Sequence, residues 1–122
     1  MNRGAGRVII IWMTPDAAID FGTLCDELDA LIKSPPASDE KTRARFERTL
    51  TDGYARAHSL EAEQLRIERR IGKIAAEMSA RNRDLKADEL AELSLRLSRA
   101  SVDLRHLRGL LATARRRVSA AA

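Results

Sequence analysis

The sequence is poor in aromatic residues and in cysteine, which limits the classes of protein it can encode. Aromatic residues make up only 3% of the 122 residues, although 44% of the residues are hydrophobic. We therefore expect a thin core of aliphatic side chains rather than the broad core of an enzyme. Cys25 is the single cysteine, which excludes an intrachain disulfide or a cysteine metal cluster and favours a reducing, cytoplasmic setting.

The sequence also lacks a long hydrophobic run. Its N-terminal apolar run covers the six residues 8–13. This is shorter than the roughly 7–15 residues of a signal-peptide core and the roughly 20 residues of a membrane span. We expect residues 1–13 to form a poorly ordered arm, with a short edge strand or a start of translation at Met13 as alternatives. No membrane partner is predicted.

Charged residues, by contrast, are abundant. They make up 33% of the chain, which has a net charge of +4. Together with the many alanines and leucines, this composition is typical of long amphipathic helices and coiled coils. The excess of basic over acidic residues favours acidic partners. Solvated helices often have a similar excess, so charge alone does not identify a partner.

The first predicted helix covers about 15–33. Thr14 and Pro15 are typical of an N-cap and a first helical position. Apolar residues then recur at steps of three and four and form one stripe, made of Phe21, Leu24, Cys25, Leu28, Leu31 and Ile32. The segment 34–36, Ser-Pro-Pro, ends this helix because a proline disfavours helical geometry in the residue before it.

Two longer helices, at about 38–80 and 86–119, are predicted next, with Ser38 and Asp84 as their N-caps. Each contains a heptad seam, in which apolar or small residues alternate at steps of four and three. In the second helix the seam consists of Phe46, Leu50, Gly53, Ala57, Leu60, Gln64, Ile67, Ile71, Ile74 and Met78. In the third helix it consists of Leu90, Leu93, Leu97, Ala100, Leu104, Leu107, Leu111, Ala114 and Val118.

Seam positions that face each other across a hairpin should have residue numbers with a constant sum. The pairs from Met78 with Leu90 to Leu50 with Val118 all sum to 167 or 168. We therefore predict an all-α fold, a long antiparallel coiled-coil helical hairpin with the short N-terminal helix packed on its base. Residues 14–122 would form a single three-helix domain, with arms on the order of 50–60 Å long.

Candidate residues for chemistry are few. No serine or cysteine has a base and an orienting group at a suitable spacing, so no catalytic residue is predicted. His58-x-x-Glu61 and Asp103-x-x-His106 have the spacing of di-iron ligands in helical bundles, but the heptad places both histidines on outward positions. Cys25 lies on the apolar stripe and is expected in the core. We expect no enzymatic activity, no metal and no cofactor.

The flanks of the seam contain charged residues that the register brings opposite one another. One flank has like charges, in the pairs Glu77/Glu89, Arg70/Arg96 and Glu63/Asp103. Either these exposed side chains splay apart at little cost, or Arg70 and Arg96 belong to an interface with a second hairpin shifted by one heptad. The other flank is matched, with an ion pair and a cation–π contact predicted for Glu61/Arg108 and Tyr54/Arg115.

A further apolar feature lies on the outer face of the third helix, away from the seam. It comprises Ala91, Leu95, Ser98 and Val102 at steps of four and three, and we call it the outer ridge. Isolated exposed apolar residues are common on proteins, so the outer ridge can be without a role. The alternative is a helix-on-helix interface, in a homodimer or with another protein.

Basic residues cluster near the base of the predicted hairpin. A patch that could face phosphate would consist of Lys41, Arg43, Arg45, Arg48, Arg105, Arg116 and Arg117. The sequence contains neither a helix-turn-helix motif nor interleaved aromatic residues for base stacking. We therefore predict a non-catalytic protein–protein interaction module, an adaptor, regulator or assembly factor that binds a protein partner or itself, with a basic nucleic-acid-associated protein as the alternative.

Overall fold

A computed structural model describes residues 20–37 and 39–121. Within these ranges the chain forms three helices and no strand, and the prediction of an all-α fold is confirmed for them. The helices are α1 (Phe21–Lys33), α2 (Glu40–Glu77) and α3 (Arg83–Ala121). The predicted N-terminal arm lies outside the described residues.

Helix α1 begins later than the sequence pattern predicted. Asp20 has extended backbone angles and is the N-cap, because its carboxylate accepts a 2.7 Å hydrogen bond from the backbone N–H of Thr23. The predicted start at about residue 15 is therefore wrong for this helix, and Thr14 and Pro15 lie outside the described residues. The hydrogen bonds from Thr23 favour the charged carboxylate and lower the pKa of Asp20.

The end of α1 agrees with the prediction. Lys33 is the last helical residue, and Ser34 is extended, as expected for a residue that precedes a proline. The backbone N–H of Ser34 donates to the carbonyl of Leu31, and its hydroxyl donates to the carbonyl of Ala30 at 2.6 Å. These bonds satisfy two of the carbonyl groups that a helix C-terminus leaves without an intrahelical partner.

Helix α2 also begins one residue later than predicted. The N-cap is Asp39 rather than Ser38, since the carboxylate of Asp39 accepts a 2.6 Å hydrogen bond from the backbone N–H of Thr42. This hydrogen bond lowers the pKa of Asp39. Ser38 itself lies outside the described residues.

Asn82, and not Asp84, organises the connection between α2 and α3. Its side-chain oxygen accepts a 2.8 Å hydrogen bond from the backbone N–H of Ser79, and its amide donates to the carbonyl of Glu77. Its own carbonyl accepts from Lys86, in the first turn of α3. Asp84 lies within that first turn, where its negative charge is favourable for the helix dipole.

The chain divides into two compact units. The first unit contains the described residues up to Arg56 together with those from Leu110 onward. Its core includes four of the six residues of the predicted α1 stripe, which are Leu24, Cys25, Leu28 and Leu31, whereas Phe21 and Ile32 are half-buried. A Cβ atom added to Gly53 of α2 would lie 2.6 Å from Leu111 Cδ2 and 3.5 Å from Leu28 Cδ1, so the three helices meet closely at this glycine.

The second unit consists of residues Ala57–Gly109. Ile67, Ile74 and Leu93 form a buried cluster, and Ile71, Leu90 and Leu97 pack against it. Contacts between α2 and α3 join higher residue numbers of one helix to lower numbers of the other, as in the pairs Glu61/Arg108, Gln64/Ser101 and Arg70/Glu89. The two helices therefore run antiparallel within this unit.

Candidate interaction surfaces

One flank of the second unit forms ion pairs where the sequence register suggested repulsion. Arg70 Nη2 lies 2.8 Å from Glu89 Oε2, and Arg96 Nη2 lies 3.9 Å from Glu63 Oε2. On the facing helix, each arginine pairs with an acid that is seven residues from the position that the register placed opposite it. The prediction that Arg70 and Arg96 face each other as like charges is therefore wrong. The charge pattern of this flank therefore gives no reason to expect a second hairpin there.

A third ion pair lies at the end of this flank. Lys86 Nζ lies 3.7 Å from Glu77 Oε1, across the connection between the helices. Glu77 and Glu89, which the register paired as like charges, thus both have basic partners within the chain. All these side chains are partly exposed, so each pair contributes only a fraction of a kcal/mol to about 1 kcal/mol.

On the opposite flank, the predicted ion pair between Glu61 and Arg108 is present, whereas Tyr54 and Arg115 interact in a way that differs from the prediction. Arg108 forms an ion pair with Glu61, and Gln64 Nε2 donates a 2.8 Å hydrogen bond to Ser101 Oγ. In the first unit, Arg115 meets Tyr54 through a 3.4 Å hydrogen bond to the hydroxyl group instead of through the ring face. The predicted cation–π contact is therefore replaced by a hydrogen bond.

The outer ridge is exposed along its whole length. Leu95 and Val102 retain 49% and 53% of their accessible surface, and Ala91 and Ser98 are exposed beside them. From Ala87 to Val102, the α3 positions on this side of the helix are alanine, serine, leucine or valine, with the exception of Asp88. The ridge is thus an apolar strip in solvent, whereas large apolar side chains are usually buried.

Helix α2 adds an apolar side chain that the sequence analysis missed. Leu65 retains 51% of its accessible surface. It stands one residue after the seam residue Gln64, at a heptad position that points away from the seam. The sequence contained a signal for Leu65, namely an apolar residue at a heptad position that points away from the seam.

Arg117, one of the residues of the predicted basic patch, makes a contact within the chain instead. Arg117 is half-buried, and both its Nε and its Nη2 donate hydrogen bonds to the carbonyl oxygen of Ser34, with Nε at 3.1 Å. The guanidinium therefore binds the backbone at the C-terminal end of α1. Arg116 remains exposed, and its Nη2 donates to Thr113 Oγ1 at 3.3 Å.

The other basic candidates are exposed but lie beside acids or in separate units. Arg45 and Arg48 line an open groove of the first unit together with Glu27 and Asp52. Arg43 lines a smaller apolar pocket beside Glu47. Lys41 is exposed in the same unit, and Arg105 is exposed in the second unit.

The residues considered for chemistry have the surroundings expected of structural residues. The His58 side chain is 87% exposed and lies 3.7 Å from Glu61, and His106 is also exposed. Cys25 is a buried thiol in the core of the first unit. Among the described residues, no group of three or more histidine, cysteine or acidic side chains is placed to hold a metal ion.

Similarity to known proteins does not assign a role to these surfaces. The chain matches no protein-family model, no curated protein and no solved structure. In the part of the chain that the structure describes, no helix combines the length and the apolar character that a membrane-spanning segment requires. The candidate site therefore depends on the exposed side chains described above.

Proposed function

We propose that the protein is a non-catalytic interaction module, an adaptor, regulator or assembly factor, that binds a protein through the outer ridge of α3. The observation that carries this proposal is the exposure of Leu95 and Val102 on one helix face. Burying two such side chains against a partner helix removes apolar surface from water, which is the main favourable term in most protein associations.

We also propose that α2 and α3 pair as an antiparallel coiled coil with the register predicted from their seams. The seam residues support this pairing, because each one is buried or half-buried within its own unit. The two well-matched contacts Glu61/Arg108 and Gln64/Ser101 lie at levels that fit the register. Such a hairpin offers a rigid helix face, and the buried single cysteine is compatible with a cytoplasmic protein.

A protein partner is better supported than a nucleic acid. Phosphate binding needs several basic side chains that are available to the backbone of the nucleic acid. Arg117 already binds the Ser34 carbonyl, and Arg45 and Arg48 share their groove with two acids. We expect weak binding to duplex or single-stranded nucleic acid. Tight binding with a steep dependence on salt concentration would favour the nucleic-acid alternative instead.

Affinity capture with the full chain tests the proposed function. We expect the wild-type chain to retain specific proteins that the double variant Leu95→Glu, Val102→Glu loses, because two carboxylates cannot be buried in an apolar interface. The matched control is Leu85→Glu, which adds a charge at an exposed position of the same helix outside the ridge, where Leu85 is 77% exposed. Equal capture by all three chains would contradict a role for the outer ridge.

A further inference from the structure

We propose that the outer ridge binds the outer ridge of a second copy of this chain, with the two α3 helices antiparallel. This inference rests on the proposed function and names its partner. It requires that the surface be complementary to itself under a two-fold rotation, as every isologous dimer interface must be. The arrangement of charge and side-chain size along α3 meets this requirement.

Opposite charges stand at the two ends of the ridge. Asp88 lies three residues before Ala91, and Arg105 lies three residues after Val102, so both continue the spacing of the ridge. Both residues are exposed, and neither has an ion pair among the described residues. The strip therefore runs from an acid through four uncharged residues to a base. Only an antiparallel copy places the acid of one strip beside the base of the other, since a parallel copy would join like charges.

The same register matches large side chains with small ones. A two-fold axis between Arg96 and Leu97 places Asp88 opposite the partner's Arg105, and Ala91 opposite the partner's Val102. It also places Leu95 opposite the partner's Ser98. In every apolar layer a larger side chain meets a smaller one, which lets two helices interdigitate and pack at about 8–10 Å.

The neighbouring surface is compatible with this approach of a second helix. At the next level, Asp84 would face the partner's Gly109, and a Cβ atom added to Gly109 would have no atom within 4 Å. The charged flank formed by Arg70, Glu89, Arg96 and Glu63 is satisfied within the chain and stays outside this interface.

A charge-swap experiment on the full chain tests the register. The dimer dissociation constant is measured by sedimentation equilibrium for the wild type, Asp88→Arg, Arg105→Asp and the double variant. Each single swap creates two like-charge contacts per dimer, so we expect its dissociation constant to rise on the order of tenfold at low salt. The double swap restores opposite charges and should return the constant to within a few-fold of the wild type.

Matched swaps on α2 provide the control. Glu68 and Lys73 are exposed, oppositely charged residues of α2, and the proposed interface between two α3 helices does not include them. Glu68→Arg and Lys73→Glu should each leave the dissociation constant unchanged. Circular dichroism before each run verifies that all variants are folded.

Three results would overturn the inference. They are a wild-type chain that stays monomeric at high micromolar concentration, a dimer that does not respond to the ridge swaps, and single swaps that weaken the dimer but are not rescued by the double swap. A monomeric chain that still captures another protein through Leu95 and Val102 would overturn this inference alone. A dimer that obeys the swaps, in a chain whose capture of other proteins does not depend on the ridge, would restrict the proposed function to self-association.

Discussion

At the scale of single residues, Gly53 and Gly72 are two glycines in the same helix with opposite surroundings. A Cβ atom on Gly53 would lie 2.6 Å from the buried Leu111, whereas a Cβ atom on Gly72 would have no atom within 4 Å. Alanine favours a helix over glycine by about 1 kcal/mol. At Gly53 this gain is outweighed by overpacking, which typically costs about 1–3 kcal/mol.

We therefore expect Gly53→Ala to lower the free energy of unfolding by about 1 kcal/mol and Gly72→Ala to raise it by about 0.5–1 kcal/mol. Denaturant unfolding followed by circular dichroism measures both variants. If the two substitutions stabilise the protein equally, α1, α2 and α3 do not meet closely at Gly53.

The contact of Arg117 with Ser34 leads to a second prediction at this scale. Arg117→Ala removes two charge-assisted hydrogen bonds to a half-buried carbonyl and should lower the free energy of unfolding by about 1–2 kcal/mol. Its neighbour Arg116 is exposed, so Arg116→Ala should change the free energy of unfolding by less than about 0.5 kcal/mol. Equal losses for the two variants in the same denaturant titration would show that Arg117 has no special contact.

The sequence could not predict this role of Arg117. The chain contains several arginines in its last turns, and their spacing shows only that Arg117 is available near the base. Its hydrogen bonds depend on the path of the segment after α1, where Ser34 is extended and its carbonyl accepts from the guanidinium. A helical pattern does not specify the direction of such a carbonyl group.

At the scale of secondary structure, helix ends at proline were easier to predict than helix starts. Pro35 cannot continue a helix, so the end of α1 at Lys33 follows from covalent geometry. The first residue of a helix is harder to predict, because several neighbouring serine, threonine or aspartate residues can act as the N-cap. Asp20 and Asp39 are the caps in the structure, although Thr14 and Ser38 also had suitable side chains.

The two aspartate caps make the helices sensitive to acid. Their pKa values are lowered in the folded state by hydrogen bonds from Thr23 and Thr42. This contribution to stability is fully present above the unfolded-state pKa of about 4 and is lost as the pH falls through the lower folded-state pKa. Asparagine also caps helices but has no charge to lose.

We therefore expect the variant Asp20→Asn, Asp39→Asn to lose less stability than the wild type between about pH 5 and pH 2.5. Urea unfolding followed by circular dichroism at several pH values gives the comparison. Parallel curves for the two proteins across this range would contradict the role of these carboxylates as caps.

The heptad seam was predictable, whereas the charge pairs beside it were predicted only in part. Buried positions repeat with the period of the helix, so Ile67, Ile74 and Leu93 could be identified from the sequence. A long arginine side chain, however, can reach an acid one heptad away. Arg70 reaches Glu89 in this way, and the level-by-level register therefore assigned it the wrong neighbour.

At the scale of the molecule, the second unit has two chemically different sides. One side is a network of charges paired within the chain. The other is the outer ridge, whose end residues Asp88 and Arg105 are oppositely charged and form no ion pair within the part of the chain that the structure describes. The composition of the ridge could be read from the sequence. Its exposure could not, because an outward heptad position can still be covered by another helix of the same chain.

We propose above that the outer ridge is an interface and that its partner is a second copy of the chain. Size-exclusion chromatography coupled to light scattering distinguishes this dimer from a monomer. The chain has a mass of 13.6 kDa. We predict a concentration-dependent mass that approaches twice this value for the wild type and for Leu85→Glu, and a single-chain mass for Leu95→Glu, Val102→Glu. A single-chain mass for the wild type at high micromolar concentration would contradict the claim.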